Sequence, residues 1–136
     1  MFSWLRRLVS KPSPALKGVP KVRREKTYSA ETGFVYQYFY QGYRESRRGQ
    51  DDGYEHLFSV SSDRASRFTL RVFLSRRVLD QWEQANDRKL IPTEQYALVK
   101  LSLFRVFDER TDFSAENADV MVSPEQIEEH VKTLDL

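Results

Sequence analysis

The chain contains no cysteine and only two histidines, and its five glycines are scattered rather than gathered in a loop. Without cysteine there is no disulfide framework, no thiolate nucleophile and no cysteine-ligated zinc; this usage fits a reducing compartment, and the cytoplasm is the expected location. Gly18, Gly33, Gly42, Gly49 and Gly53 stand too far apart to cradle a phosphate, and no serine lies in a nucleophile-elbow pattern. His56 and His130 lack metal-type spacing. The acidic stretch from Asp108 to Asp119 has neither the central glycine nor the alternating carboxylates of a calcium loop. No run approaches the ~18 apolar residues of a membrane span. With no catalytic, cofactor or metal motif, the balance leans away from an enzyme and toward a binding or scaffold domain, and the sequence names no particular activity.

What remains is a chain of 136 residues, which is room for one core. Hydrophobic residues at 40% and aromatics at 13% suffice to offset the conformational entropy that keeps charged, polar chains disordered. The net charge of +2 conceals an asymmetry. Residues 1–31 hold eight Lys/Arg against two acidic side chains, whereas residues 32–136 hold fourteen against eighteen. The expected organisation is therefore a basic arm, 1–31, followed by a mildly acidic domain, 32–136.

The arm opens on residues 1–11, in which Phe2, Trp4, Leu5, Leu8 and Val9 share one side of a helical projection and Arg6 and Arg7 the other. Arg6 and Arg7 interrupt the apolar run, which is unlike a secretory signal. Isolated helices this short are marginal in water, so this one is expected to form only when docked. Its candidate docking residues are Phe2, Trp4, Leu5, Arg6, Arg7, Leu8 and Lys11, facing an anionic membrane surface, a groove on a protein partner, or the domain itself. The Pro, Ser, Lys and Arg content of residues 12–26 reads as an extended linker.

From Thr32 the pattern turns to dense β-formers. Residues 34–43 predict a strand with Phe34, Tyr36, Tyr38 and Tyr40 on one face and Val35, Gln37, Phe39, Gln41 and Tyr43 on the other. The charged run 44–53, ending Asp51-Asp52-Gly53, reads as a turn before a second strand, 54–61. A third strand, 67–74, carries Phe68, Leu70, Val72 and Leu74 as an apolar row. Short connections imply an antiparallel meander.

Helical periodicity follows. Ser75 is placed to cap a helix with Val78, Leu79, Trp82 and Ala85 on one stripe. Thr93 is the expected cap of a longer helix reaching Glu109, with Gln95, Ser102 and Arg105 facing solvent and Lys100 inside the apolar sector, where its ammonium must snorkel or find a carboxylate. Val120 to Val122 suits a short strand or a packed segment. Ser123-Pro124-Glu125-Gln126 is a capping box that opens a last helix burying Ile127, Val131 and Leu134. The expected fold is thus α+β: a three-stranded antiparallel meander followed by two to three helices on one sheet face.

Two functions are consistent with these features. In the first, a non-catalytic domain is recruited to a membrane or protein partner by residues 1–11 and sits peripherally at the membrane. In the second, Tyr36, Tyr38 and Tyr40, with Arg67 or Arg71, stack single-stranded nucleic acid while the arm neutralises phosphates. The absent RNA-recognition motif and the net negative domain weigh against the second. An uncovered sheet face or a free edge strand would also permit a homo-oligomer.

Overall fold

A computed structural model of the chain describes residues 14–111, 113 and 119–136; the expected docking helix, residues 1–11, lies outside them. Among the described residues the fold is α+β, with three helices on a five-stranded mixed sheet. Strands β1 (Lys26–Ser29), β2 (Val35–Arg48), β3 (Asp51–Ser61) and β4 (Phe68–Ser75) lead into helices α1 (Arg76–Asn86) and α2 (Pro92–Glu109). Then come β5 (Asp119–Met121) and helix α3 (Pro124–Thr133). The strands lie in the order β1-β2-β3-β4-β5. The first four are antiparallel, and β5 returns parallel to β4. A parallel return needs a long crossover, which α1 and α2 provide.

The three-stranded meander is therefore correct at its centre and incomplete at both edges. Lys26 to Ser29 pairs with Tyr38 to Val35, so the sheet begins inside the stretch expected to be an arm. Val120 pairs with Val72 in β5. The charged run expected as a turn is strand: β2 continues to Arg48 and β3 starts at Asp51, leaving Gly49 and Gln50 as the connection, with Gly49 at φ 61°. Opposite charges across the ladder make this possible. Arg44 and Arg48 both reach Glu55, and Arg47 faces Asp52 at 3.7 Å.

Helix entries follow local chemistry. The Ser75 hydroxyl accepts from the Val78 amide at 3.4 Å, as expected. The longer helix starts at Pro92 rather than after Thr93, because proline suits the first helical turn and the Glu94 carboxylate reaches back to the Ile91 amide at 3.0 Å. At α3 both arms of the Ser123/Gln126 capping box form, at 3.0 and 3.2 Å. Ser102, expected at the surface, is buried, its hydroxyl donating to the Leu98 carbonyl at 3.1 Å.

The core lies between sheet and helices. Tyr36, Tyr38, Phe58, Val60, Leu70, Val72 and Leu74 from the sheet meet Leu98, Val99, Leu103 and Phe107 from α2 and Ile127 from α3. Tyr36 stacks on Phe107 with ring centroids 4.2 Å apart. Tyr28 stacks on Phe104 at 4.3 Å and donates its hydroxyl to Asp108 at 2.8 Å, which pins β1 to α2.

Candidate functional site

Residues 14–25, expected as linker, form a strap along the free edge of β2. The amides and carbonyls of Lys17 and Tyr43 exchange two hydrogen bonds, at 2.7 and 2.9 Å. Gly42 permits this approach, because a Cβ there would stand 2.6 Å from the Lys17 carbonyl oxygen, and its φ of 124° suits glycine alone. It also ends the β-bulge between Tyr40 and Gly42, which turns Tyr43 back onto the helix side. The strap is thus fixed near Lys17 and again at Lys26, where β1 begins, and between them Arg23 lies over the Phe39 ring and Glu25 pairs with Arg67.

Between the strap, the sheet and α2 is an open cavity of about 500 Å³. Pro20, Lys21, Val22 and Arg24 line the strap side, Lys26, Tyr38, Phe39 and Tyr40 the sheet side, and Tyr96 the α2 side. The rings of Tyr40 and Tyr96 meet edge to face at 4.8 Å. Lys26 lies opposite Tyr38 in the ladder and therefore shares its helix-side face. Lys100, one helical turn beyond Tyr96, stands beside Lys26 with its Nζ 5.9 Å from the Phe104 ring centroid. Burial lowers the pKa of Lys100 from its ordinary value, and the adjacent Lys26 ammonium lowers it further. Lysine snorkelling is thus half realised: Lys100 is only partly exposed, and its neighbour is a second cation instead of a carboxylate.

No aspartate or glutamate lines the cavity, and among the described residues none of Lys21, Arg24, Lys26 or Lys100 has a carboxylate within ion-pair distance. Burial pushes Tyr38 up to about 12 and raises Tyr40 and Tyr96 as well, so all three phenols stay protonated at neutral pH and can donate. The Tyr40 hydroxyl is already hydrogen-bonded to His56 Nδ1 at 2.8 Å. His56 is buried in the sheet between Tyr43 and Val72, and desolvation pulls its pKa from 6.5 to about 4, which keeps the imidazole neutral. A neutral, enclosed imidazole with a phenol partner holds Tyr40 in place and does not by itself make a nucleophile–base pair. Among the described residues no group of three His, Asp or Glu side chains is arranged to hold a metal ion.

The opposite face of the sheet carries a second constellation. Glu55 is buried there between Arg44 and Arg48, and Arg48 also reaches Asp119 at 3.1 Å. Burial opposes ionisation of Glu55, but the hydrogen bonds and charges of Arg48 and Arg44 outweigh it and hold the carboxyl below its usual range. Arg23 and Arg67 lie over the Phe39 ring at 4.3 and 4.9 Å, and Arg48 over Phe73 at 5.0 Å. Arginine guanidinium groups thereby lie over aromatic rings on the face opposite the helices.

This geometry corrects the expected stacking row. Tyr36 and Tyr38 are 2% and 4% exposed, under α2, and offer no free ring face. Tyr40 is partly exposed and turns toward the cavity. Arg67 occupies the opposite face with Ser59 and Phe39, and Arg71, paired with Leu57, projects there too. The proposed tyrosines and arginines are therefore on different sides of the sheet. Sequence reasoning missed Lys26 and Tyr96 as cavity residues. The one available signal was Tyr96 and Lys100 at a four-residue spacing on a helix, a pattern far commoner on ordinary surfaces.

No family model, no curated protein and no solved structure matches this chain. Among the described residues no helix is long and apolar enough to cross a membrane.

Proposed function

We propose that this protein is a non-catalytic binding domain brought to an anionic membrane surface by its N-terminal residues, with Phe2, Trp4, Leu5 and Leu8 entering the apolar boundary and Arg6, Arg7 and Lys11 near lipid phosphates. The observation that carries the reading is the strap. Val19 and Val22 are 57% and 64% exposed, and Lys17, Lys21, Arg23 and Arg24 around them are exposed as well. Exposed apolar side chains among cations continue the character of residues 1–11 up to the point where the chain joins the sheet, as in interfacial anchors. A binding role rather than a catalytic one is supported by the enclosed, neutral His56 and by the structural ion pairs of Glu55.

Co-sedimentation of the full chain with vesicles tests this directly. The wild-type protein should pellet with anionic vesicles and not with neutral ones, and added salt should weaken the association. The double variants Trp4→Ser/Leu8→Ser and Arg6→Glu/Arg7→Glu should remain in the supernatant. Equal binding of wild type and both variants, or no binding at low salt, overturns the proposal and leaves a protein groove as the destination of the arm.

A further inference from the structure

We infer that the cavity under the strap is a binding site for an organic phosphate, whose dianionic head sits against Lys26 in the cavity wall, with Lys100 behind it, and whose flat or apolar body lies against Tyr40 and Tyr96. The inference is independent of whether residues 1–11 touch a membrane. It begins with an electrostatic anomaly. Two ammonium groups stand side by side at the end of β1 and on α2, one of them partly buried, and among the described residues no carboxylate is near enough to pair with either. Lys21 and Arg24 add two further cations from the strap.

Like charges held together at a partly desolvated site repel, and the arrangement is relieved when an anion enters beside them. The twenty acidic residues of the chain would have allowed an internal partner, and Arg44, Arg48, Arg67, Arg77, Arg88 and Arg105 all have one. Lys26 and Lys100 have none among the described residues. Two adjacent ammonium groups match two negative charges, which a phosphate monoester supplies and a single carboxylate does not.

Size and lining define the rest of the ligand. A cavity of about 500 Å³ lies within the range of small-molecule sites and exceeds a bare phosphate ion. Its walls beyond the cations include the partly exposed Tyr40 and Tyr96 with Pro20 and Val22, so the body that fills it is aromatic or apolar. The Tyr96 hydroxyl has no hydrogen-bond partner among the described residues and is a protonated donor available to the head group. The same chemistry has two sources, a soluble phosphate ester or the head group of an acidic phospholipid.

Titration of the isotopically labelled full chain with phenyl phosphate, followed by amide NMR, separates the outcomes. Saturable shifts at Tyr38 to Tyr40, Lys26 and Tyr96 are expected, with inorganic phosphate binding more weakly at the same place because it lacks the body. Lys26→Gln/Lys100→Gln should weaken phenyl phosphate by about tenfold or more, from the loss of two charge-assisted contacts, and Tyr96→Leu should close the gap between phenyl and inorganic phosphate. Retained spectral dispersion in each variant excludes misfolding, and Lys89→Gln serves as an exposed control. Parallel titration with a short-chain, water-soluble phosphatidic acid, which offers no membrane to residues 1–11, identifies the lipid source: saturable shifts at the same residues that are lost in Lys26→Gln/Lys100→Gln assign the head group to the cavity. The inference is overturned if neither probe gives saturable binding, if the shifts map elsewhere, or if the lysine variant binds as the wild type does.

Discussion

The two faces of the central sheet are both buried, and they achieve burial by opposite means. On the helix side, Tyr36, Phe58, Leu70 and Val72 are covered by the apolar stripe of α2. On the other, Phe39, Leu57 and Phe73 are also buried, yet their cover includes Arg23, Arg48 and Arg67, and Glu55 is buried on the same face. The first face is held mainly by close packing of hydrocarbon, which is insensitive to salt. The second is held by long arginine side chains, of which Arg48 pairs with Glu55 and Asp119 and Arg67 with Glu25. A strand such as β2 can therefore alternate aromatic and polar residues with no clear solvent face.

Paired truncations break the comparison most sharply. Phe107 and Phe73 are 0% and 1% exposed, one on each side. Phe107→Ala should cost about 4 kcal/mol, because it opens a cavity against Tyr36 and Tyr38 that rigid neighbours cannot fill. Phe73→Ala should cost about 1 to 2 kcal/mol less, because the Arg48 stem is free to settle into the space. Chemical denaturation of the two variants measures the difference, and equal costs would mean that the arginine layer packs like a core.

The next effect is pH-dependent and belongs to the helix side. His56 has a folded pKa of about 4 against an ordinary value of 6.5, so between these values the unfolded chain takes up a proton that the native protein refuses. The stabilisation is fully present above about pH 6.5 and is lost as pH falls toward 4, a decline of roughly 3 kcal/mol. His130, also lowered by burial, acts in the same direction. His56→Gln should flatten this part of the stability profile, as read by thermal unfolding across the window.

The smallest effect sharpens the account of the other face. Glu55→Gln removes the charge that Arg44 and Arg48 share and should cost about 2 kcal/mol, since the buried position then holds a neutral amide among cations. Because both arginines are partly exposed, raised salt should shrink the deficit. A deficit unchanged by salt would place the role of Glu55 in shape rather than charge.

Much of the helical half was legible in the residues. Ser75, Ser123 and Gln126 carry local chemistry that acts within one turn, and the apolar row of β4 has the period of a half-buried strand. The edges of the sheet were not legible. Lys26 to Ser29 alternates for only four residues, and it becomes a strand through Tyr36 and Tyr38 and through the Tyr28 contacts with α2, all distant in sequence. Arg44 to Arg48 reads as a loop until Glu55 and Asp52 face it across the hairpin. The cavity was illegible for the same reason, since it joins a strap, a strand edge and a helix that share no local signal.

Both functional readings rest on the strap being part of the folded sheet rather than a loose tether, and amide hydrogen exchange tests that claim most directly. The account predicts that the Lys17 and Tyr43 amides, which bond to each other's carbonyls, exchange far more slowly than those of residues 18–25 between the anchors. Gly42→Ala should abolish the protection of Lys17 while leaving β3 and β4 protected. Exchange of Lys17 at the rate of an unfolded chain in the wild-type protein would contradict it, and would remove the roof of the cavity together with the anchored basic surface.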